Sequence, residues 1–350
     1  MKKNTLILLF TLFVIACSSD VEIPFNKGNR NEIVTGTGIS STPSSANLNF
    51  SIIDNGGASI SETGIMYSYS SNLVNPEMIP LSNKYPGNYS IGLQDLLPNR
   101  TYFWRPYAKT NLGFNYGRTS SFTTSALNTT YTNGMVAYYP FNGDYLDYGP
   151  YGNHLSLYGS NSYGPGKFGG IKSAASLVPN AGFYKIASSN FPTGSMSVMF
   201  WFKANTAVST LASVGSGANG SANSSATIRL LSPTRIGVYH WNADYFLDFP
   251  WYNFTDGSWY FMACVYDSIT KKFTMYIGKK STTANSLSGY STGNYTLNNQ
   301  LNWSIKNISV GCLIDVRNNN PSEFFNGQID DFRLFNRAIT SDDVNYFINQ

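Results

Sequence analysis

Short runs in which apolar and polar side chains alternate dominate the hydrophobic pattern of this chain. Ala46 to Ile52, Gly64 to Tyr69 and Arg100 to Thr110 are three such runs. Turn residues such as Asp54-Asn55-Gly56-Gly57 separate them, and long amphipathic helical runs are absent. Since alternation puts one face of a strand on a core, the pattern predicts an all-β protein.

A later run carries an unusual pair of acids. Asn326-Gly327 is a turn dipeptide, and the strand predicted after it begins Ile329-Asp330-Asp331-Phe332. Carboxylates in such an apolar strand need water, a cation or an arginine as partners, because burying an unpaired charge is costly. Consecutive strand residues point to opposite faces, so we expect the two aspartates not to act as a catalytic pair.

Composition narrows the class of protein further. The 350 residues suffice for two domains, and aromatic residues at 15% with 31 Gly and 15 Pro fit extracellular β domains. The net charge of +4 is small and the basic residues are scattered, which argues against a nucleic-acid partner. His154 and His240 are the only histidines, which disfavours a histidine metal site or a Ser-His-Asp triad.

The amino end predicts export. Residues 1–16 read as a signal peptide, since Met1-Lys2-Lys3 is basic and the apolar run to Ala16 is too short to span a bilayer. Val14-Ile15-Ala16-Cys17 resembles the lipobox of bacterial lipoproteins. The resemblance implies cleavage before Cys17 and acylation of its thiol, so that the lipid is the only expected membrane contact; the alternative is ordinary cleavage beside an incidental cysteine. The secreted-style composition favours an outer-membrane anchor that faces the cell surface. Residues 17–31 are interpreted as a flexible leash.

Residues 32–125 resemble a fibronectin type III domain. Leu96-Leu97-Pro98-Asn99-Arg100-Thr101-Tyr102 matches the family pattern Leu-x-Pro-x-x-x-Tyr, and the resemblance implies a β-sandwich in which the Tyr102 hydroxyl bonds to nearby backbone. Trp104 is interpreted as core. Pro106 departs from the family, and we expect an edge or bulge there. The domain is interpreted as a spacer, with a peptide- or glycan-binding module as the alternative.

After a linker at 126–133, residues 134–350 resemble concanavalin A-like, laminin G-like jelly rolls. The matching pieces, in order, are the opening 134–154, the Trp201 strand 195–203, the Trp259 strand 257–267 and the ending 325–344. The expected fold is therefore a fibronectin type III-like β-sandwich followed by a jelly roll. We expect Trp201 and Trp259 to fill the space between its sheets, 208–226 to form a variable loop, and Thr340 with Asp343 to cap a short helix.

The resemblance also implies a structural Ca²⁺ site. In related jelly rolls the first loop and the last strand lie side by side, so Asp147 and Asp330 would give carboxylates. Carbonyl ligands would come from Asn142, Gly143 and Gly152. The alternative is that Asp331 pairs with Arg333 or Arg337 while Asp330 caps the turn. We expect Asp330 to be the calcium ligand and Asp331 the salt-bridge partner.

The densest cluster of aromatic and polar residues lies between Arg235 and Asp256. Sugars bind to aromatic faces together with a few directional polar groups. The candidate ligand-binding residues are Tyr239, Trp241, Asn242, Asp244, Tyr245 and Trp251. We place Tyr239 and Trp241 near a hairpin tip; the alternative is that these aromatic residues fill the core.

Catalysis is not expected. Glycanases of this fold carry paired acids, commonly Glu-x-Asp-x-Glu, whereas Glu323 is the only glutamate of 134–350 and has no acid two residues away. The predicted function is a non-catalytic surface lipoprotein that binds carbohydrate. The alternatives are an adhesin or structural protein with an extracellular protein partner and, less favoured, a divergent glycoside hydrolase. Cys264 and Cys312 are either buried thiols or a disulfide.

Overall fold

The computed structural model describes residues 32–37, 39–53, 58–186, 189–215, 226–240, 243–281, 291–297, 307–315 and 320–350. The predicted signal peptide and leash, with Cys17, lie outside these ranges, as do Trp241 and Asn242. The described residues are almost entirely β-structure, as the alternating pattern predicts.

The first sandwich contains nine of the described strands. They are β1 (Glu32–Thr35), β2 (Ser40–Ser41), β3 (Ala46–Ile53), β4 (Ile60–Ser68), β5 (Glu77–Leu81), β6 (Gly87–Leu93), β7 (Thr101–Thr110), β8 (Gly113–Tyr116) and β9 (Ser120–Thr123). One sheet has β3 between β6 and the pair β1 and β2; the other has the order β5-β4-β7-β8, with β9 also paired to β7. Leu48, Phe50 and the fully buried Trp104 lie in the core between them, so the interpretation of Trp104 as core is confirmed.

The hydrogen bond predicted for Tyr102 is present. Its hydroxyl accepts from the Leu97 backbone N–H at 2.8 Å, and the ring is buried. Pro106, however, lies in β7, which is a central strand and not an edge. It is tolerated because it stands where the partner on one side changes from β8 to β9, and there the Gly117 N–H donates to the Pro106 carbonyl at 2.9 Å.

The second sandwich follows α1 (Thr129–Thr132). Its first strands are β10 (Met135–Tyr139), β11 (Ser156–Tyr158), β12 (Ser162–Gly164), β13 (Ala174–Leu177), β14 (Gly182–Ile186), β15 (Met196–Ala204), β16 (Ser209–Gly215), β17 (Ala226–Ser232), β18 (Arg235–His240) and β19 (Ala243–Asp248). The remaining elements are β20 (Tyr260–Asp267), β21 (Lys272–Lys279), β22 (Ser291–Thr296), β23 (Asn307–Val310), β24 (Leu313–Asp315), β25 (Asn320–Ser322), β26 (Gly327–Phe335) and α2 (Ser341–Phe347).

Two large sheets build this sandwich. One has the order β12-β13-β26-β15-β20-β21-β22, with β10 also paired to β26, and the other has the order β11-β14-β23-β16-β17-β18-β19. Phe200, Phe202 and Phe332 from the first sheet pack with Ile228 and Val238 from the second in one large core. Ser209–Gly215 is a buried inner strand, so the variable loop predicted from 208 is wrong over these residues.

Trp201 does not fill the space between the sheets. It belongs to a separate buried cluster on the opposite face of the β26 sheet, with Phe261 and Phe335, and Trp259 packs against that cluster. The last segment covers this face through Val344 and Phe347 of α2. Alternation alone cannot tell which face of a strand meets the other sheet when both faces are buried.

The predicted cap of α2 is confirmed. The Asp343 N–H donates to the Thr340 hydroxyl at 3.3 Å, and the Thr340 N–H donates to an Asp343 carboxylate oxygen at 2.7 Å. The same carboxylate receives two 2.7 Å hydrogen bonds from Arg337. Arg337 in turn donates to the Asn133 carbonyl at 2.8 Å, so the last helix is tied to the linker.

Candidate functional site

The acidic pair of β26 sits on a β-bulge. The register of β26 against β15 shifts between Met199 and Trp201, and Asp331 has a left-handed φ of 58°. Such a bulge adds a residue to one strand and re-aims its side chains. Asp330 and Asp331 therefore point to the same side of the sheet, and the prediction that they point to opposite faces is wrong.

A lysine that the sequence did not single out lies between them. The Lys167 ammonium is 3.3 Å from Asp331 Oδ2 and 3.9 Å from Asp330 Oδ2, and all three side chains are at most 4% exposed. Arg333 Nη1 donates to Asp331 Oδ2 at 2.6 Å, which confirms the predicted salt bridge. A lone lysine in the glycine-rich stretch 164–170 carries no periodic signal, and its partner acids are distant in sequence.

A third carboxylate enters from the first sandwich. Asp95 Oδ1 is 3.5 Å from the Lys167 ammonium, and Asp95 Oδ2 accepts from the backbone N–H groups of Phe168 at 3.1 Å and Gly170 at 2.8 Å. A Cβ added at Gly166 would lie 2.7 Å from Asp95 Oδ2, and one at Gly170 2.6 Å from the Asp95 Cβ. The loop admits this side chain because those positions are glycine.

The buried cluster holds three carboxylates against two cations. Burial raises the pKa of Asp330 well above its usual value, and neighbouring Asp95 and Asp331 raise it further against the opposing Lys167. For Asp331, burial also disfavours the charge, but Arg333 and Lys167 outweigh it and lower the pKa. Asp330 is therefore the carboxyl of the pair that binds a proton more readily, and Asp331 carries the charge.

The carboxylates predicted for calcium make other contacts. Asp147 Oδ1 accepts from the backbone N–H groups of Tyr138 and Gly149, and Asp147 Oδ2 accepts from that of Asn153. Asp330 faces the Lys167 ammonium. A calcium ion needs six to eight free oxygen ligands, so these carboxylates do not fit such a site in this arrangement.

The other predicted calcium ligands lie in the same loop. The Asn142 amide donates to the Asp95 carbonyl at 2.7 Å; Gly143 has φ 83°, and the Gly152 carbonyl accepts from the His154 N–H. No group of three acidic, histidine or cysteine side chains able to hold a metal occurs among the described residues. Calcium binding stays a prediction, which the melting temperature with and without a chelator would check.

The predicted ligand-binding residues lie along the β18–β19 hairpin. His240 pairs with Ala243 at the tip of the hairpin, and the candidates Trp241 and Asn242 lie outside the described residues. Tyr239 pairs with Asp244 beside that tip, and Tyr245 pairs with Val238. Trp251 follows the far end of β19. The hairpin tip is where the sequence placed it, but Tyr239 and Trp251 lie at opposite ends of the hairpin.

An aromatic and charged group surrounds Tyr239 on the face away from the core. The Arg229 guanidinium lies 4.9 Å from the Tyr239 ring centroid, and Phe246 makes an edge contact with that ring at 5.7 Å. Arg229 Nη2 is 3.2 Å from Glu323 Oε2, which also accepts from the Thr210 hydroxyl at 3.0 Å. We call Arg229, Tyr239, Phe246 and Glu323 the Tyr239 face.

Sequence reasoning missed three members of the Tyr239 face, namely Arg229, Phe246 and Glu323. Arg229 alternates with the apolar core residues Ile228 and Leu230 in β17, which is a signal that could have placed it outside the core. Glu323 follows β25 in sequence and comes close to Arg229 only because of the fold. On the same face of the sheet, the hydroxyls of Ser213 and Thr227 form a buried hydrogen bond at 3.0 Å. The solvent-accessible part of this face is therefore the part near β19.

Trp251 is a separate exposed aromatic. It is 65% exposed and makes edge contacts with Phe249 at 6.4 Å and Tyr252 at 6.3 Å. Phe249 and Phe254 belong to the core, while Trp251 projects from it. The alternative that Trp251 fills the space between the sheets is therefore wrong.

Cys264 and Cys312 are free, buried thiols and form no disulfide. Burial raises the pKa of each to about 12. Both thiols are thus protonated at neutral pH and unsuited to nucleophilic or metal chemistry.

Within the described ranges, no helix has the length and apolar character needed to cross a membrane.

Comparisons with solved structures find similar β architectures. Domain 4 of AbnA, a GH43 extracellular arabinanase from Geobacillus stearothermophilus in complex with arabinotriose, has a TM-score of 0.43 at 19% identity over 62% of this chain and 98% of that one. The binding domain of botulinum neurotoxin serotype D/C has a TM-score of 0.44 at 15% sequence identity over 63% of this chain. This chain covers 52%, about half, of that neurotoxin domain chain.

A third similar structure is the CBM40 of the Ruminococcus gnavus IT-sialidase, bound to α2,3-sialyllactose. Its TM-score is 0.34 at 14% identity, over 45% of this chain and 83% of that one. No curated protein matches the sequence. Residues 179–345 match the family model described as the concanavalin A-like lectin/glucanases superfamily, in agreement with the two-sheet β-sandwich that this part of the chain forms.

Proposed function

We propose that this protein binds carbohydrate without transforming it, through the Tyr239 face of its jelly roll. The observation that carries the proposal is the meeting of the exposed Phe246 ring and the partly exposed Tyr239 ring with a fixed guanidinium–carboxylate pair on the outside of β17–β19. Aromatic faces pack on the C–H surfaces of sugar rings, and a few directional polar groups bind the hydroxyls.

The contacts of Arg229 support a preorganised site. Glu323 holds one end of its guanidinium at 3.2 Å, and the Tyr239 ring supports its plane. Arg229 Nε is buried and has no hydrogen-bond partner. A side chain already held in place loses little conformational freedom when a ligand binds. The exposed indole of Trp251 offers a second stacking surface at the far end of the hairpin.

The absence of catalysis is part of the proposal. Retaining glycosidases need two carboxyl groups about 5–5.5 Å apart, one of which serves as an acid. Glu323 is the only glutamate of 134–350, and its carboxylate is already bound by Arg229 and Thr210.

A glycan array tests the proposed function. We expect Tyr239→Ala to lower the binding signal about tenfold or more, because it removes the ring and the support of Arg229. Trp251→Ala should lower the signal for longer oligosaccharides only, since the two residues lie far apart. Tyr295→Ala is the matched control, as an aromatic that is 48% exposed in β22 of the other sheet.

Three results would count against the proposal. A wild-type array without signal, with folding intact by circular dichroism, would favour a protein partner and hence an adhesin. Equal loss on Tyr295→Ala would show a non-specific effect. Turnover of any polysaccharide would contradict a purely binding role.

We further propose that acylation of Cys17 anchors the protein in the outer membrane, facing the cell surface. The support is the lipobox-like Val14-Ile15-Ala16-Cys17 after an apolar run. Labelled fatty acid should be incorporated into the wild type and not into Cys17→Ser; equal labelling of both would contradict the anchor.

A further inference from the structure

A cleft of about 490 Å³ opens between the two sandwiches and shares Pro98, Leu127 and Tyr138 with the cavity at the buried acidic cluster. Pro98, Asn99 and Arg100 of the first sandwich form one wall, and Leu127, Tyr138 and Tyr148 contribute to the other. Ligand sites commonly occupy clefts of roughly 300–1,000 Å³ at domain interfaces. The size and the place of this cleft are those of a small-ligand site.

The walls of the cleft are fixed to each other. Tyr138 lines the cleft and also adjoins the cavity bordered by Asp95, Lys167 and Asp331. The linker beside the cleft is held by Tyr131, which stacks on Tyr346 with ring centroids 4.1 Å apart. A cleft that is formed before binding spares the ligand the free energy of ordering its walls.

Arg100 supplies a cation at the rim. Its side chain is exposed, its guanidinium lies 4.7 Å from the Tyr69 ring centroid, and no carboxylate of the described residues forms an ion pair with it. The ring beneath it orients the planar fork of the guanidinium. That fork matches the two oxygens of a carboxylate.

Tyr148 supplies a ring on the opposite wall. Its hydroxyl donates to Asp144 Oδ2 at 2.9 Å, and Asp144 Oδ1 accepts from the Leu146 N–H at 3.1 Å. These bonds fix the half-buried ring, and the Asp144 carboxylate is already hydrogen-bonded on both oxygens. The exposed amide of Asn99 adds a donor and an acceptor for hydroxyl groups.

Strand addition by a peptide is blocked here. The outward N–H of Tyr138 in β10 donates to Asp147 at 2.8 Å, and its carbonyl accepts from the Tyr148 N–H at 2.8 Å. The backbone groups that a peptide strand would need are therefore already paired. A compact ring with hydroxyl groups and one carboxylate suits the cleft better.

We propose that this interdomain cleft binds an acidic sugar unit, with its carboxylate on Arg100 and its ring against Tyr148. The site lies apart from the Tyr239 face and does not depend on it. The first sandwich then contributes half of a binding site and is more than a spacer.

Titration calorimetry with uronic acid oligosaccharides, each compared with its carboxyl-reduced neutral counterpart, tests this site. We expect the wild type to bind the acidic form, and Arg100→Gln to lower that affinity about tenfold or more, as for loss of a charge-assisted hydrogen-bond pair. Arg105→Gln is the matched control, because Arg105 in β7 also stacks on a tyrosine, 4.0 Å from the Tyr116 ring centroid, and does not line the cleft. Its affinity should equal that of the wild type.

The two sites can be separated. Tyr239→Ala should leave binding of the acidic oligosaccharide at the cleft unchanged, even where it abolishes the array signal. The cleft proposal is overturned if the wild type binds none of the acidic forms, if the neutral counterparts bind equally well, or if Arg100→Gln and Arg105→Gln behave alike. Because Arg100 is exposed, its substitution leaves the core intact, and circular dichroism checks this.

Discussion

The pKa values of neighbouring Asp330 and Asp331 shift in opposite directions because of what each carboxyl contacts. Asp331 has Arg333 at 2.6 Å and Lys167 at 3.3 Å, whereas the closest cation to Asp330 is Lys167 at 3.9 Å. In a buried site a paired charge is tolerated, and an excess charge is removed by a proton. Asp331 therefore pairs with both Arg333 and Lys167, whereas Asp330 has only the more distant contact with Lys167.

Asparagine substitutions should reveal this difference. Asp331→Asn removes the main partner of buried Arg333, so we expect the second sandwich to lose about 3 kcal/mol of unfolding free energy at neutral pH. The pKa of Asp331 is lowered in the folded protein. Its contribution to the unfolding free energy is therefore present above the pKa of the unfolded state and is lost as pH falls through the pKa of the folded state.

Asp330→Asn should behave in the opposite way. The pKa of Asp330 is raised in the fold, so its contribution is full below the unfolded value of about 3.9 and is lost as pH rises through the folded one. The unfolding free energy of Asp330→Asn relative to the wild type should therefore rise between pH 4 and 7. Urea unfolding across that range measures the unfolding free energy of both variants. If Asp330→Asn lost more unfolding free energy at pH 7 than at pH 4, the assignment would be contradicted.

At the scale of elements, the hydrophobic pattern predicted most strands but not how they pack. β26 was expected from its turn and its apolar residues, and the tip of β18–β19 from its sequence. The bulge at Asp331 was not, because aspartate tolerates left-handed backbone without requiring it. Of the Tyr239 face, the sequence predicted only Tyr239, which lay in an aromatic cluster. Glu323 follows β25, far along the chain, and reaches Arg229 only in the folded protein.

The last helix offers an element-scale prediction. Asp343 caps α2 and pairs with Arg337, so Asp343→Ala should cost about 2 kcal/mol of stability and loosen the cover over Phe335 and Trp201. Burial opposes the Asp343 charge, but Arg337 and Thr340 outweigh it and lower its pKa, so the difference from wild type should shrink as pH falls below about 4.

The exposed neighbour Asp342 in the same turn is the control. Asp342→Ala removes a similar charge near the helix start without removing the cap, and should cost only a few tenths of a kcal/mol, about the dipole contribution. Thermal unfolding of the two variants gives the comparison, and equal losses would contradict the role given to Asp343.

At the scale of the whole molecule, the two sandwiches are joined by more than the linker. The order of the domains was predicted from sequence motifs that mark each one. Their contact was not, since Asp95 and Lys167 are single residues in separate domains and no periodicity relates them. The interpretation of the first domain as a spacer therefore omitted its contribution to the interface.

Asp95→Ala should uncouple the sandwiches. It leaves the buried N–H groups of Phe168 and Gly170 without their acceptor, so we expect a loss of about 2–3 kcal/mol and a calorimetric transition that splits in two. Glu77→Ala is the control, since Glu77 forms an exposed bridge to Lys172 between the same domains and should contribute under about 1 kcal/mol. A single unshifted transition for Asp95→Ala would contradict the coupling.

The glycines around Asp95 have a mechanical consequence. Tension applied between Glu32 and a ligand held at β18–β19 must cross from one sandwich to the other. One path for that load is the Asp95 carboxylate, which is seated between Gly166 and Gly170 and faces Lys167, a lysine that also contacts Asp330 and Asp331 of β26. β26 is hydrogen-bonded to strands on both of its edges, so it can spread the force across its sheet. A pull on the first sandwich would therefore reach, through Asp95 and Lys167, a strand that is paired on both edges.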